Sequence, residues 1–226
     1  MFISDIPPWR AMAARSISLF VENSIGSIYF LVFLAFVAIF DATKGSFVNS
    51  LSQLTQIMVD SGIHSWTALV IWYLVASIMV KDMREDIGMT RREEAAVVYL
   101  MSAAVDADHF LSAGSLSLHD ATNLHSRMWL VFHNPFTVLL LCVVAHWYGR
   151  RPRLAAIIAI SMGTHLLRDA TRTGLLLYPM GASAPVPYFI FIVVLCVSPY
   201  VVARYLRRSF QDKRIPQSLQ LEGEKI

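Results

Sequence analysis

The chain has 226 residues, of which 56% are hydrophobic and only 15% charged, with a mean hydropathy of +0.53. A water-soluble domain of this size carries about 25% charged residues, so the composition argues against one and for a single integral membrane domain over 1–226. The net charge of +3 and isoelectric point near 9.0 would suit an anionic partner in a soluble protein. Here the basic residues cluster at the ends of apolar runs, which disfavours nucleic-acid binding. Cys142 and Cys196 each sit within an apolar run and read as small packing side chains, not as a disulfide or a zinc site.

The N-terminal stretch MFISDIPPWRAMAARSISLF has an early acid, a Pro pair and no clear small-residue cleavage site, so it does not read as a removable signal peptide. A span needs ~20 mostly apolar residues. Residues 25–40 give the first span. Residues 46–59 place Phe47, Leu51, Leu54 and Met58 at helical spacing among polar residues; they read either as an amphipathic helix on the membrane surface or as a loop helix packed on the bundle. The second span is 63–80, with Trp66 and Trp72. Thr90-Arg-Arg-Glu93 fits a capping box that starts a third, at 95–111. A fourth follows at 129–147, a fifth at 154–170 and a sixth at 186–206, the last with Pro199 as an expected kink.

Lysine and arginine orient these spans. Fifteen fall in the N-terminal segment, the second and fourth loops and the C-terminal tail, against four (Lys44, Arg127, Arg168 and Arg172) on the other side. The expected fold is therefore an all-α polytopic membrane bundle of about six spans. Both termini are cytoplasmic, and 207–226 forms a basic, polar cytoplasmic tail.

That topology brings three polar groups to one depth. Asp106, Asp108 and His109 lie at the outer end of the third span, and His133 near the outer start of the fourth. His165, Arg168, Asp169 and Arg172 occupy the last turns of the fifth. Ionisable side chains in a membrane are costly unless paired or metal-bound, so they mark a site by default. Positions 165, 168, 169 and 172 share one helical stripe, and His165 and Asp169 are i, i+4, a spacing that can present two ligands to one ion. Asp106 and His109 are i, i+3. Asp108 would point away unless the helix unwinds there, and Ala113-Gly114 makes an early end plausible. Asp106, His109, His133, His165 and Asp169 form a mixed nitrogen and oxygen donor set suited to zinc, or to iron or manganese. Asp108 or His109 would be a general base or a further ligand. Arg168 and Arg172 would either neutralise the acids or hold a phosphate or carboxylate. The plainer alternative is a set of hydrogen bonds that locks the spans together. His119 and His125 read as solvated loop residues, and His146 as interfacial.

The blocks DADHFLSAGSLSL and HLLRDATRTGLLLYPMGASAPVP resemble the eukaryotic transmembrane protein 267 family over roughly residues 100–190. More remotely, the order of motifs is similar to bacterial LexA-regulated, membrane-bound metal-dependent hydrolases. Asp106, Asp108 and His109 match their first block, His133 their second, and His165, Asp169 and Gly174 their third. The middle block here reads HSRMWLVFHNP and lacks the clean first histidine. That resemblance implies a divalent metal and a hydrolase but supplies no substrate; a lipid-like or phosphate-ester substrate in the bilayer is what Arg168 and Arg172 at headgroup depth would meet. No GxSxG, HExxH, P-loop or GxGxxG motif occurs, and no inverted repeat of the transporter kind is evident.

Overall fold

The computed structural model describes residues 32–41, 53–79, 89–115, 117, 120, 130–177 and 179–223, with 53–54 and 212–223 as backbone only. They fall into two compact units, Met1–Ser46 and Phe47–Ile226. The described part of the first is one apolar helix, α1 (Val32–Asp41), in which Phe36 and Phe40 stack one turn apart.

In the second unit the chain order is α2 (Gln53–Ile78), α3 (Arg91–Ala104), α4 (Ala107–Ala113), α5 (Pro135–Val143, continued as a π-helical turn over Val144–Tyr148), α6 (Pro152–Thr173) and α7 (Tyr188–Gly223). Among the described residues no strand forms, only an isolated bridge between Leu176 and Ala182. The all-helical expectation holds.

Local chemistry sets the starts. Thr90 accepts the Glu93 N–H while the Glu93 carboxylate accepts the Thr90 N–H at 2.6 Å, so the expected capping box is present. That backbone hydrogen bond holds the Glu93 carboxyl below its ordinary range. Asn134 accepts from Phe136 N–H at 2.9 Å with Pro135 in the first turn, so α5 begins after His133, not at 129. Pro152 likewise opens α6.

Two boundaries differ from the sequence reading. The polar stretch to Met58 and the apolar run from Ile63 form one helix, α2, because nothing between them breaks the hydrogen-bond ladder; the part of 46–59 before Gln53 lies outside the described residues. The third span is broken at Val105–Asp106, where Asp108 N–H and His109 N–H bond back only three residues, to the carbonyls of Val105 and Asp106. α7 runs unbroken through Pro199.

α6 is the hub, packing against α2, α3, α5 and α7, and 14 of its 22 residues are buried. Its buried face is mixed: Ala155, Ile158, Met162 and Leu166 join Val105 and Val138 in one apolar cluster, while Ser161, Thr164, His165 and Arg168 are also inside. Ser161 and Thr164 satisfy their hydroxyls on carbonyls one turn back. Conversely, α7 exposes Phe189, Val193, Val197, Tyr200 and Val201. α2 and α7 are long and apolar enough to cross a membrane by length and composition.

Candidate functional site

The break after α3 is what builds the site. With the chain turned at Asp106, Asp108 faces inward and is 1% exposed. One of its oxygens accepts the backbone N–H groups of Phe132 (2.8 Å) and His133 (3.2 Å); the other lies 2.9 Å from His133 Nδ1. A carboxylate in this position accepts the His133 Nδ1 hydrogen and so selects that ring tautomer. His133 Nε2 faces the other side, 3.4 Å from Asp169 Oδ2 and 3.8 Å from Asp106 Oδ1.

His165 repeats this logic. Its Nδ1 lies 2.8 Å from the Ser102 carbonyl, which can only accept, so Nδ1 is protonated here too. Nε2 sits 3.3 Å from both Asp106 Oδ1 and Asp169 Oδ2 but forms no hydrogen bond among the described residues. Two imidazole Nε2 atoms and two carboxylate oxygens thus surround one small volume, neighbouring atoms lying 3.3–3.8 Å apart. Protons on the two nitrogens would make these contacts His–Asp ion pairs, and a cation in their place would draw on the same four atoms.

Helix α2 supplies what the sequence reading missed. Ser61 donates a short hydrogen bond to Asp106 Oδ2, leaving Oδ1 for the histidines. His64 is buried, its Nε2 3.2 Å from Asp169 Oδ1 and its ring stacked on His165 with centroids 3.9 Å apart at 15°. Asp60 accepts from Arg168 Nη1 at 3.1 Å and from Arg172 Nη1 at 2.8 Å. His64 falls within the expected second span, 63–80, and Asp60 between that span and the 46–59 stretch; their i, i+4 spacing is the available signal.

The expected residues come together. His109 packs edge-on to His133, with centroids 4.8 Å apart. The potential donor atoms of His64, His165 and Asp169 lie within 4.8 Å of one another, as do those of Asp106, His109 and His133. Both groups open onto a pocket of about 270 Å³, walled on one side by Leu175, Leu176 and Ala182. Arg172 lines this pocket, whereas Arg168 is fully buried behind Asp60. His146 is remote, bonded to the Tyr205 hydroxyl at 2.5 Å. His119 and His125 lie outside the described residues.

The pocket wall depends on one glycine. Gly174 ends α6 with φ 78°, and a Cβ there would lie 1.9 Å from the Ser183 carbonyl oxygen. The chain folds back so that Ser183 pairs with Leu175 and Val186 N–H reaches the Ala170 carbonyl at 2.8 Å.

Electrostatically, Asp60, Asp106, Asp108 and Asp169 face Arg168 and Arg172. With neutral imidazoles, two negative charges are left over, which one divalent cation or two protons would balance.

Among known proteins, the chain is similar to proteins named transmembrane protein 267: 29% identical to that of Bos taurus over 147 residues (63% of this chain and 65% of that one), 33% to that of Xenopus laevis over 123 residues (51% and 57%), and 28% to that of Danio rerio over 154 residues (64% of each). The match spans less than two thirds of the length of each of these relatives. They bear out the resemblance carried by the two motif blocks. No family model and no solved structure matches the chain.

Proposed function

We propose that this is a multi-pass membrane protein with a divalent-metal site at its non-cytoplasmic face, acting as a hydrolase on a lipid-like or phosphate-bearing substrate. The membrane reading is supported by the names of the relatives and by an inside-out distribution of polarity. α6 buries Ser161, Thr164, His165 and Arg168, while α7 turns Phe189, Val193 and Val197 outward. The six-span arrangement with cytoplasmic termini follows from the charge asymmetry of the loops.

The observation that carries the metal reading is the spacing of His133 Nε2, His165 Nε2, Asp106 Oδ1 and Asp169 Oδ2. Four of their separations are 3.3, 3.3, 3.4 and 3.8 Å. Ligands ~2.0–2.2 Å from a tetrahedral zinc ion are separated by about 3.3–3.5 Å. The outward nitrogens of both histidines are held by a carboxylate and a carbonyl, the usual support of metal-bound imidazole.

Bound there, the ion would acidify a coordinated water, and His109 on the pocket wall is the residue placed to take a proton. Asp108 acts through His133, fixing which ring nitrogen faces the pocket. Arg172 is the guanidinium open to an anionic substrate oxygen, which would compete with Asp60 for it. Arg168 supports that arrangement from behind by holding Asp60.

A second, non-enzymatic reading is a membrane scaffold whose polar cluster only ties α2, α4 and α6 together; the Asp60–Arg168–Arg172 contacts favour it. Thermal unfolding with and without chelator separates the two. The metal reading predicts that chelator alone lowers the unfolding midpoint and that zinc restores it. A scaffold is insensitive to chelator yet loses stability in Asp169→Asn.

A further inference from the structure

At the opposite end of α3 and α6 from the pocket lies a buried ion pair that the site does not touch. Arg153 Nε is 2.6 Å from Glu94 Oε1, and Arg153 Nη2 donates to Glu94 Oε2 at 2.8 Å; Glu94 is 1% and Arg153 8% exposed. By sequence Arg153 belongs with Arg150 and Arg151 as a loop charge, but it folds inward instead.

The two helices run in the same direction, with the break after α3 just before Asp106. Glu94 faces Arg153 and, twelve residues further along both chains, Asp106 faces His165, so each pair is offset by 59 positions. Twelve residues are about 18 Å of helix.

Between the two ends the packing is mostly apolar, and the directional His165–Ser102 hydrogen bond belongs to the pocket end. Ala155, Ile158, Met162 and Leu166 recur at three- and four-residue intervals and pack with Met101 and Val105 by apolar contact. Such contact is non-directional, and a slide of one turn, ~5.4 Å, sets a similar stripe against a similar surface. That slide would put Asp106 opposite Asp169, not His165. A buried guanidinium with two nitrogens against one carboxylate, one of them hydrogen-bonded, favours a single register.

We propose that Glu94 and Arg153 are positioning residues that pin the register of α3 against α6 and so set the Asp106–His165 spacing from the far end of the bundle. Buried ion pairs are often no more stabilising than a well-packed apolar pair, and their best-attested use is to select one alignment. The link to metal affinity rests on the proposed function; the alignment itself does not.

The deciding variant is Glu94→Leu with Arg153→Met, made in a chain with Cys142 and Cys196 replaced by alanine and spin labels at the exposed positions Leu100 and Ala159. The expected result is an unfolding midpoint close to that of the parent and a broadened or bimodal label-to-label distance distribution. Zinc affinity, read by competition with a chelating dye, should fall about tenfold or more. A distribution as narrow as the parent's would overturn the proposal. So would loss of folding, because the pair would then be holding the helices together and not aligning them. A parent protein that binds no zinc would sink the metal reading but leave the distance measurement to judge the pin.

Discussion

His64 lies flat against His165, and that contact matters to the chemistry more than its apolar setting suggests. By holding Asp169 Oδ1, it leaves Oδ2 facing His133 and His165. Replacing it with alanine should lower zinc affinity about 10–100-fold, as loss of an outer hydrogen-bonding partner typically does; isothermal titration of the purified protein measures this, and unchanged affinity would remove His64 from the site. Gly174 makes a separate point. A methyl group there collides with Ser183 and must adopt a conformation that L-residues avoid. Gly174→Ala should therefore cost about 2 kcal/mol or more of stability, seen as a lowered unfolding midpoint. An unshifted midpoint would mean the Gly174 turn is not as drawn.

Among the elements, the junction of α3 and α4 is where local sequence and tertiary need meet. An uninterrupted helix would aim Asp108 away from Asp106; the turn at Val105–Asp106 lets both serve His133. Asp108→Asn, nearly isosteric, can turn its amide oxygen toward either the backbone N–H groups or the imidazole, and supports each less strongly than a carboxylate. It should weaken zinc binding while leaving helix content by circular dichroism unchanged. Much of this was legible in the residues. DxDH, His133 and HxxRD announced themselves as charges beside apolar runs, and the capping box at Thr90 was read correctly to the residue. The contribution of α2 was not legible. Asp60, Ser61 and His64 straddle the boundary between a polar and an apolar stretch, and periodicity says which residues share a face but not which helix that face will meet. Only the packing of α2 on α6 gives those three a role. The pairing of Arg153 was illegible for the same reason, since a basic residue beside two others gives no sign of a buried Glu94 59 positions away.

Over the whole molecule, the proposed orientation makes the site non-cytoplasmic, with the Glu94–Arg153 pair at the other end of the same helices. In a cysteine-free background, single cysteines at Lys44 and Lys225 should label from opposite sides of sealed vesicles, with Lys225 on the cytoplasmic side. Labelling of both from one side would refute the six-span arrangement. The greasy surface of α7 and the buried polar residues of α6 belong to the same account, since a lipid environment rewards the first and tolerates the second only when their charges are compensated.

Whether that compensation is a metal ion is decided most directly by elemental analysis of the detergent-purified protein, beside Asp106→Ala/His165→Ala prepared identically. The account predicts zinc or another first-row metal near one per chain in the parent and a large fall in the double variant. Equal metal content in the two, or none in either, would contradict it.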